Sequence, residues 1–224
     1  METSHSRLTA KALETRSQIL TAALDLFAAK GYRDATMRDI ASAAGVSLGL
    51  AYRYFSSKEQ LLIAFYERCA GDLRLEIEQL PRESVSRRYT TVMRKVLERL
   101  DPYRESFAEM SGVLMNPRNE AGLLSDHVSY IRRESRELFR LVLTDATDSP
   151  SVKAIGDLTT IAYAGYLLLL LFWVNDTSAE QSSTDKLLRF VEDMIGSLTL
   201  LVRVPLFVKY CSRLSEIVNP MFGA

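Results

Sequence analysis

The chain has 224 residues, 47% of them hydrophobic, and its 28 lysines and arginines are balanced by 28 aspartates and glutamates. That length and apolar content suffice for one large domain, or a small one joined to a larger, and exclude a disordered chain. The zero net charge excludes a global attraction to polyanions, so any contact with nucleic acid needs a local patch.

In chain order, residues up to about Ala12 read as a flexible arm. Ile19, Leu20, Ala23, Leu24 and Phe27 then recur at helical spacing over Leu13 to Lys30, and Gly31 closes that helix. Thr36 followed by Asp39 is a capping-box pattern for a short second helix, with Ile40, Ala41 and Ala44 on one face. Gly45 ends it where a left-handed backbone is needed, Val46 can turn back into the core, and Ser47 can cap a third helix at once. Two short helices around a tight glycine-containing turn form the unit that lays its second helix in the major groove of DNA. Ser56 with Glu59, or Ser57 with Gln60, opens a fourth helix that runs to about Leu80 and stops at Pro81.

Beyond Pro81 the periodicity predicts further helices over roughly 83–100, 103–115, 121–146, 151–174, 184–203 and 206–218, separated by proline and asparagine breaks. No stretch alternates as a strand should, so the expected class is all-α. The run Ile161 to Val174 is short against the roughly 20 residues of a membrane span, and a helix buried on all sides is expected there rather than a membrane contact. Cys69 and Cys211 lack ligand spacing and read as reduced thiols. No metal, cofactor or catalytic residue is expected: no nucleophile elbow, phosphate loop or metal-ligand spacing is present. The polar N-terminus lacks the apolar core of a signal peptide, which points to the cytoplasm.

The strings RSQILTAALDLFAAKGYRDATMRDIA and AGVSLGLAYRYFSSKEQLL resemble the tetracycline-repressor (TetR) family of bacterial transcriptional regulators. The resemblance covers the first 70 residues and implies an arm (1–12), a helix-turn-helix DNA-binding domain (13–75) and a helical ligand-binding and dimerisation domain (76–224). It implies DNA contacts from Thr36, Met37 and Arg38, from Ser47, Leu48 and Gly49 at the start of the reading helix, from Tyr52, Arg53 and Tyr54, and from Lys58. Lys58 in a helix's first turn suits a docked phosphate, or is simply a solvated lysine. Phe55 is expected to pack inward, leaving Tyr52 and Tyr54 either outward or as core tyrosines with a wet hydroxyl. Leu48 and Gly49 carry no side-chain hydrogen bonds for base edges, so direct readout is left to Arg38, Ser47 and arm residues such as Arg7 or Lys11.

The resemblance also implies a homodimer, since two reading helices must reach half-sites roughly 34–36 Å apart. Leu158, Ile161, Ala162, Gly165, Leu169, Leu187, Val191, Met194, Ile195, Leu198 and Leu201 are the candidate pairing residues, some of them shared with the intrachain core. Candidate ligand-cavity residues are Met93, Phe107, Met110, Met115, His127, Tyr130, Phe139, Tyr163, Tyr166 and Trp173, because aromatic and methionine side chains suit an adaptable apolar pocket; each is otherwise an ordinary core residue, and His127 otherwise a surface or capping group. The expected function is that of a homodimeric regulator, a repressor released from its operator by a small apolar or amphipathic molecule. The alternative is a DNA-binding or architectural protein switched by a protein partner.

Overall fold

The computed structural model describes residues 10–198 and 204–222. The expectations for residues 1–9, with Arg7 among them, and for 199–203, with Leu201, lie outside those residues. Among the described residues the fold is helical throughout, without a strand.

Helix α1 (Ala10–Lys30) starts at Ala10, so residues 10–12 are helical rather than part of an arm, and it buries the expected Ile19, Leu20, Ala23, Leu24 and Phe27. It stops at Gly31, which holds φ +82°. A side chain there would also strike the Glu109 carboxylate. Helices α2 (Met37–Ala43) and α3 (Leu48–Tyr54) follow. The capping box is complete: the Thr36 hydroxyl accepts from the Asp39 N–H at 3.2 Å, and the Asp39 carboxylate accepts from the Thr36 N–H at 3.0 Å. Gly45 adopts φ +66°, its N–H donating to Ser42 O and the Val46 N–H to Ala41 O at 3.0 Å. This double closure satisfies the last carbonyls of α2 and throws the chain into α3.

Ser57, rather than Ser56, caps α4 (Lys58–Glu78) by accepting from the Gln60 N–H. Then come α5 (Val85–Leu100), the short α6 (Arg104–Glu109) and α7 (Ser111–Leu114), α8 (Ser129–Thr144), α9 (Val152–Val174), α10 (Ser182–Leu198) and α11 (Pro205–Val218). The helix expected over 103–115 is broken in two. The one expected over 121–146 begins only at Ser129, because Gly122 packs its backbone against the Asn116 carbonyl in a turn that a helix cannot form.

Helix α8 packs between α4 and α9, α10 lies on α5, and α11 lies along α9. One apolar cluster runs without interruption from Ile19 in α1 to Phe222 beyond α11. Helix α9 is not buried on all sides as expected: Tyr163, Leu169 and Trp173 are buried, whereas Leu168 is 67% exposed and Leu171 and Phe172 also face outward. The helix packs chiefly on α8 and α11, with lesser contacts to α5, α6 and α10, and among the described residues Leu168, Leu171 and Phe172 are left exposed.

Candidate DNA interface and ligand cavity

In the head, α1, α2 and α3 pack through Phe27, Ile40, Ala41, Ala51 and Phe55, and this orients what remains outside. Arg38, Ser47, Gly49, Tyr52 and Arg53 are exposed, Tyr52 at 49%, and form the accessible surface of the turn and reading helix. Ser47 caps α3, its hydroxyl accepting from the Leu50 N–H at 3.2 Å. One expectation is corrected, and two further residues lie partly inward. Met37 is buried, because the first turn of α2 must cover the core, so only its backbone can meet DNA. Leu48 and Tyr54 are half-buried against the core, since α3 packs one face on α2, and for Tyr54 this agrees with the core alternative.

Lys58 is half-buried and is engaged within the chain. Its ammonium donates to Tyr32 O at 2.6 Å and Arg33 O at 3.2 Å and sits 4.4 Å from the Tyr32 ring centre. Burial lowers its pKa. The lysine thereby ties the start of α4 to the loop that precedes the turn-helix pair. The Thr36 hydroxyl is likewise engaged with the Asp39 carboxylate at 2.6 Å, and Lys30 reaches the same carboxylate at 2.7 Å. Those bonds hold the Asp39 carboxyl well below the usual carboxylate range.

Behind the head, α4, α5, α6, α8 and α9 and the end of the α11 segment enclose an apolar cavity of about 430 Å³. Phe107, Phe139, Tyr163, Tyr166, Trp173 and Met115 line it as expected. Met93 and Met110 do not: both are buried in the solid core beside it. His127 and Tyr130 are exposed on the surface, the Tyr130 hydroxyl donating to the Glu67 carboxylate, because the turn before α8 points them outward. The cavity's mouth lies at Met115, Leu168, Leu171, Asn175 and Met221.

Much of the wall was missed in the sequence. Phe65, Tyr66, Cys69 and Leu73 of α4 line it, as do Arg132 and Ser135 of α8. The apolar period of α4 was legible, but a period does not say whether the face it marks meets a core or a void. Burial pushes the Cys69 thiol up to about 12 and the Tyr163 phenol also to about 12. These groups are neutral at physiological pH, in keeping with apolar walls.

The candidate pairing residues divide. Leu158, Ala162, Leu187, Val191, Ile195 and Leu198 are half-buried, and Met194 is exposed at 40%. Leu169 is buried. Gly165 faces α5, where a Cβ would stand 3.0 Å from the Tyr89 hydroxyl, which itself donates to Ala162 O at 3.0 Å. The small residues of α9 therefore serve close packing within the chain. Outward apolar groups are instead Leu168, Leu171 and Phe172 on α9, Phe190 and Met194 on α10, and Leu206, Tyr210, Leu214 and Ile217 along one stripe of α11.

Residues 19–65 match the family model described as bacterial regulatory proteins, tetR family. The chain is 27% identical over 199 residues to the HTH-type transcriptional regulator SrpR of Pseudomonas putida, covering 88% of this chain and 89% of SrpR. It is 32% identical over 120 residues to the uncharacterized HTH-type transcriptional regulator TtgW, also of Pseudomonas putida, covering 53% of this chain and 87% of TtgW. Among solved structures, the Thermus thermophilus transcriptional repressor FadR, in complex with lauroyl-CoA, superposes with a TM-score of 0.57 at 22% identity, over 79% of this chain and 92% of that one.

Proposed function

The chain belongs to the TetR family of bacterial regulatory proteins and is a DNA-binding transcriptional regulator, and we propose that it is a homodimeric repressor released from its operator by a small apolar or amphipathic molecule. The observation that carries the reading is the double engagement of α4. Its first residue, Lys58, is bonded to the carbonyls of Tyr32 and Arg33 in the head, while Phe65, Tyr66, Cys69 and Leu73 further along line the cavity. A ligand that favours one position of α4 thereby biases the placement of α2 and α3. Without such differential affinity it shifts nothing. A second bridge supports the reading: the Ser106 hydroxyl in α6 donates to Phe27 O in α1, beside the cavity residue Phe107.

DNA contact is assigned to Thr36, Arg38, Ser47, Gly49, Tyr52 and Arg53, and ligand contact to Phe107, Tyr163, Tyr166 and Trp173. Residues 13–75 are the DNA-binding unit and the rest the sensing and pairing unit. Dimerisation is assigned to the outward apolar groups of α9 and α10, which a second copy would cover. Lys153 and Asp157 on α9, and the shortness of its uncharged run, favour a protein over a bilayer as that cover. The site of action is the cytoplasm. Purified protein should retard DNA from around its own gene with a steep salt dependence, and a screen of small apolar molecules should find one that releases it. Absence of any salt-dependent retardation sinks the proposal. A second reading, switching by a protein partner, draws support from the exposed α11 stripe. Release by a purified small molecule alone decides against it.

A further inference from the structure

The cavity wall is mostly apolar, and one of its charged residues lacks a counter-ion. Arg132, 3% exposed, is spread over backbone carbonyls: Nε donates to Phe222 O at 3.2 Å, and Nη1 to Leu123 O at 3.2 Å and to Ser125 O. The hydrogen bonds of Arg132 among the described residues use Nε and Nη1 and leave Nη2 over, and no carboxylate among them pairs with the guanidinium. Every other arginine buried to this degree is compensated: Arg88, 1% exposed, binds the Val142, Leu80 and Pro81 carbonyls and has the Asp145 carboxylate at 3.8 Å. Arg99, which also lines the cavity, is paired with Glu76. Ser135 lies one helical turn on from Arg132 and lines the same cavity. Tyr163 on α9 is buried and also in the wall, and its hydroxyl makes no hydrogen bond among the described residues.

A guanidinium out of water without a counter-ion is costly, and carbonyl dipoles offset that only in part. An anion placed at Nη2 would supply the missing charge through a charge-assisted hydrogen bond, with the serine and tyrosine hydroxyls as neutral donors beside it. We infer that Arg132, Ser135 and Tyr163 form an anion-recognition corner, so that the cavity takes an apolar molecule carrying a carboxylate or similar acidic head. This rests on the reading of the cavity as a ligand site and specifies the chemistry of the ligand. The tail would lie along Phe65, Leu73, Phe107 and Phe139. Trp173, the only tryptophan in the chain, lines the same cavity and reports on its filling.

The test titrates the intact protein with two matched pairs, decanoate against decanol and naphthoate against naphthamide, by calorimetry, with Trp173 fluorescence as a second signal. At least one anion should bind about tenfold or more tightly than its neutral partner, the effect of one charge-assisted bond. Because Arg132 also braces the chain end, Arg132→Lys is supplemented by the milder Tyr163→Phe and Ser135→Ala. These should narrow the gap between anion and neutral partner several-fold, the anion losing more affinity than its neutral partner. If the neutral partner binds as well as the anion in both pairs, or neither anion binds, the inference is overturned. Operator release is measured separately, and an anion that binds with preference but leaves the operator complex intact defeats the repressor mechanism while upholding the anion corner.

Discussion

At the scale of single residues, the turn at the head works because Thr36, Asp39 and Lys30 find their partners in one another. Thr36 and Asp39 satisfy each other's N–H groups, and Lys30 closes the cluster. Thr36→Ala should lower stability by about 1 kcal/mol and weaken operator binding, whereas Thr36→Ser should recover most of both in chemical denaturation and binding titrations. The Asp39 carboxyl titrates lower in the folded chain than its unfolded value of about 3.9. The stability it contributes is therefore complete above that value and is lost as pH falls through the folded one. Asp39→Asn should flatten that acid limb in a denaturation series, and an unchanged limb would count against the carboxylate's role. The capping box and the Gly45 turn were readable from residue types alone, since both depend on neighbours only a few positions away. The role of Lys58 was not, because its partners are the carbonyls of Tyr32 and Arg33, 26 and 25 positions back.

Among the helices, α4 carries the argument. It is 21 residues long, capped by Ser57, and fastened to the head at one end and to the cavity along its middle. If Lys58 were chiefly a phosphate ligand, Lys58→Met would reduce the salt slope of operator binding by about one. Its carbonyl bonds predict instead a lower unfolding midpoint and weaker operator binding with the slope unchanged. Measuring affinity at several salt concentrations separates the two. Helix α9 shows the complementary case. Its composition announced a buried helix, yet hydrophobicity says only that a face must be covered, not by what. Gly165 and Ala162 were read as contact points for a second copy and turned out to accommodate Tyr89 of α5.

At the scale of the whole molecule, exposed apolar groups on α9, α10 and α11 are the surface that a partner would cover. Phe172→Glu on α9 and Phe190→Glu on α10, made separately, should each convert a dimer to monomer in sedimentation. They should also weaken operator binding on the order of a hundredfold, because two half-sites are no longer held together. Ile217→Glu on α11 discriminates further: a dimer that survives it assigns the α11 stripe to something other than pairing of copies. Because one core runs from α1 to Phe222, unfolding of head and body should coincide in a single transition.

Local chemistry was thus legible in residue order. The all-α class, the helix-turn-helix with its caps, the stop at Gly31 and the start of α4 follow from dihedral preferences and hydrogen bonds within a turn of the chain. Long-range packing decided the rest. It sent Met37, Leu48 and Leu169 inward, turned His127 and Tyr130 out to solvent, and left a void between α4, α8 and α9 with Arg132 at its edge. A helical period marks an apolar face, but its neighbour is chosen by contacts between residues tens of positions apart. Whether that neighbour is core, cavity or a second chain therefore cannot be read along the sequence.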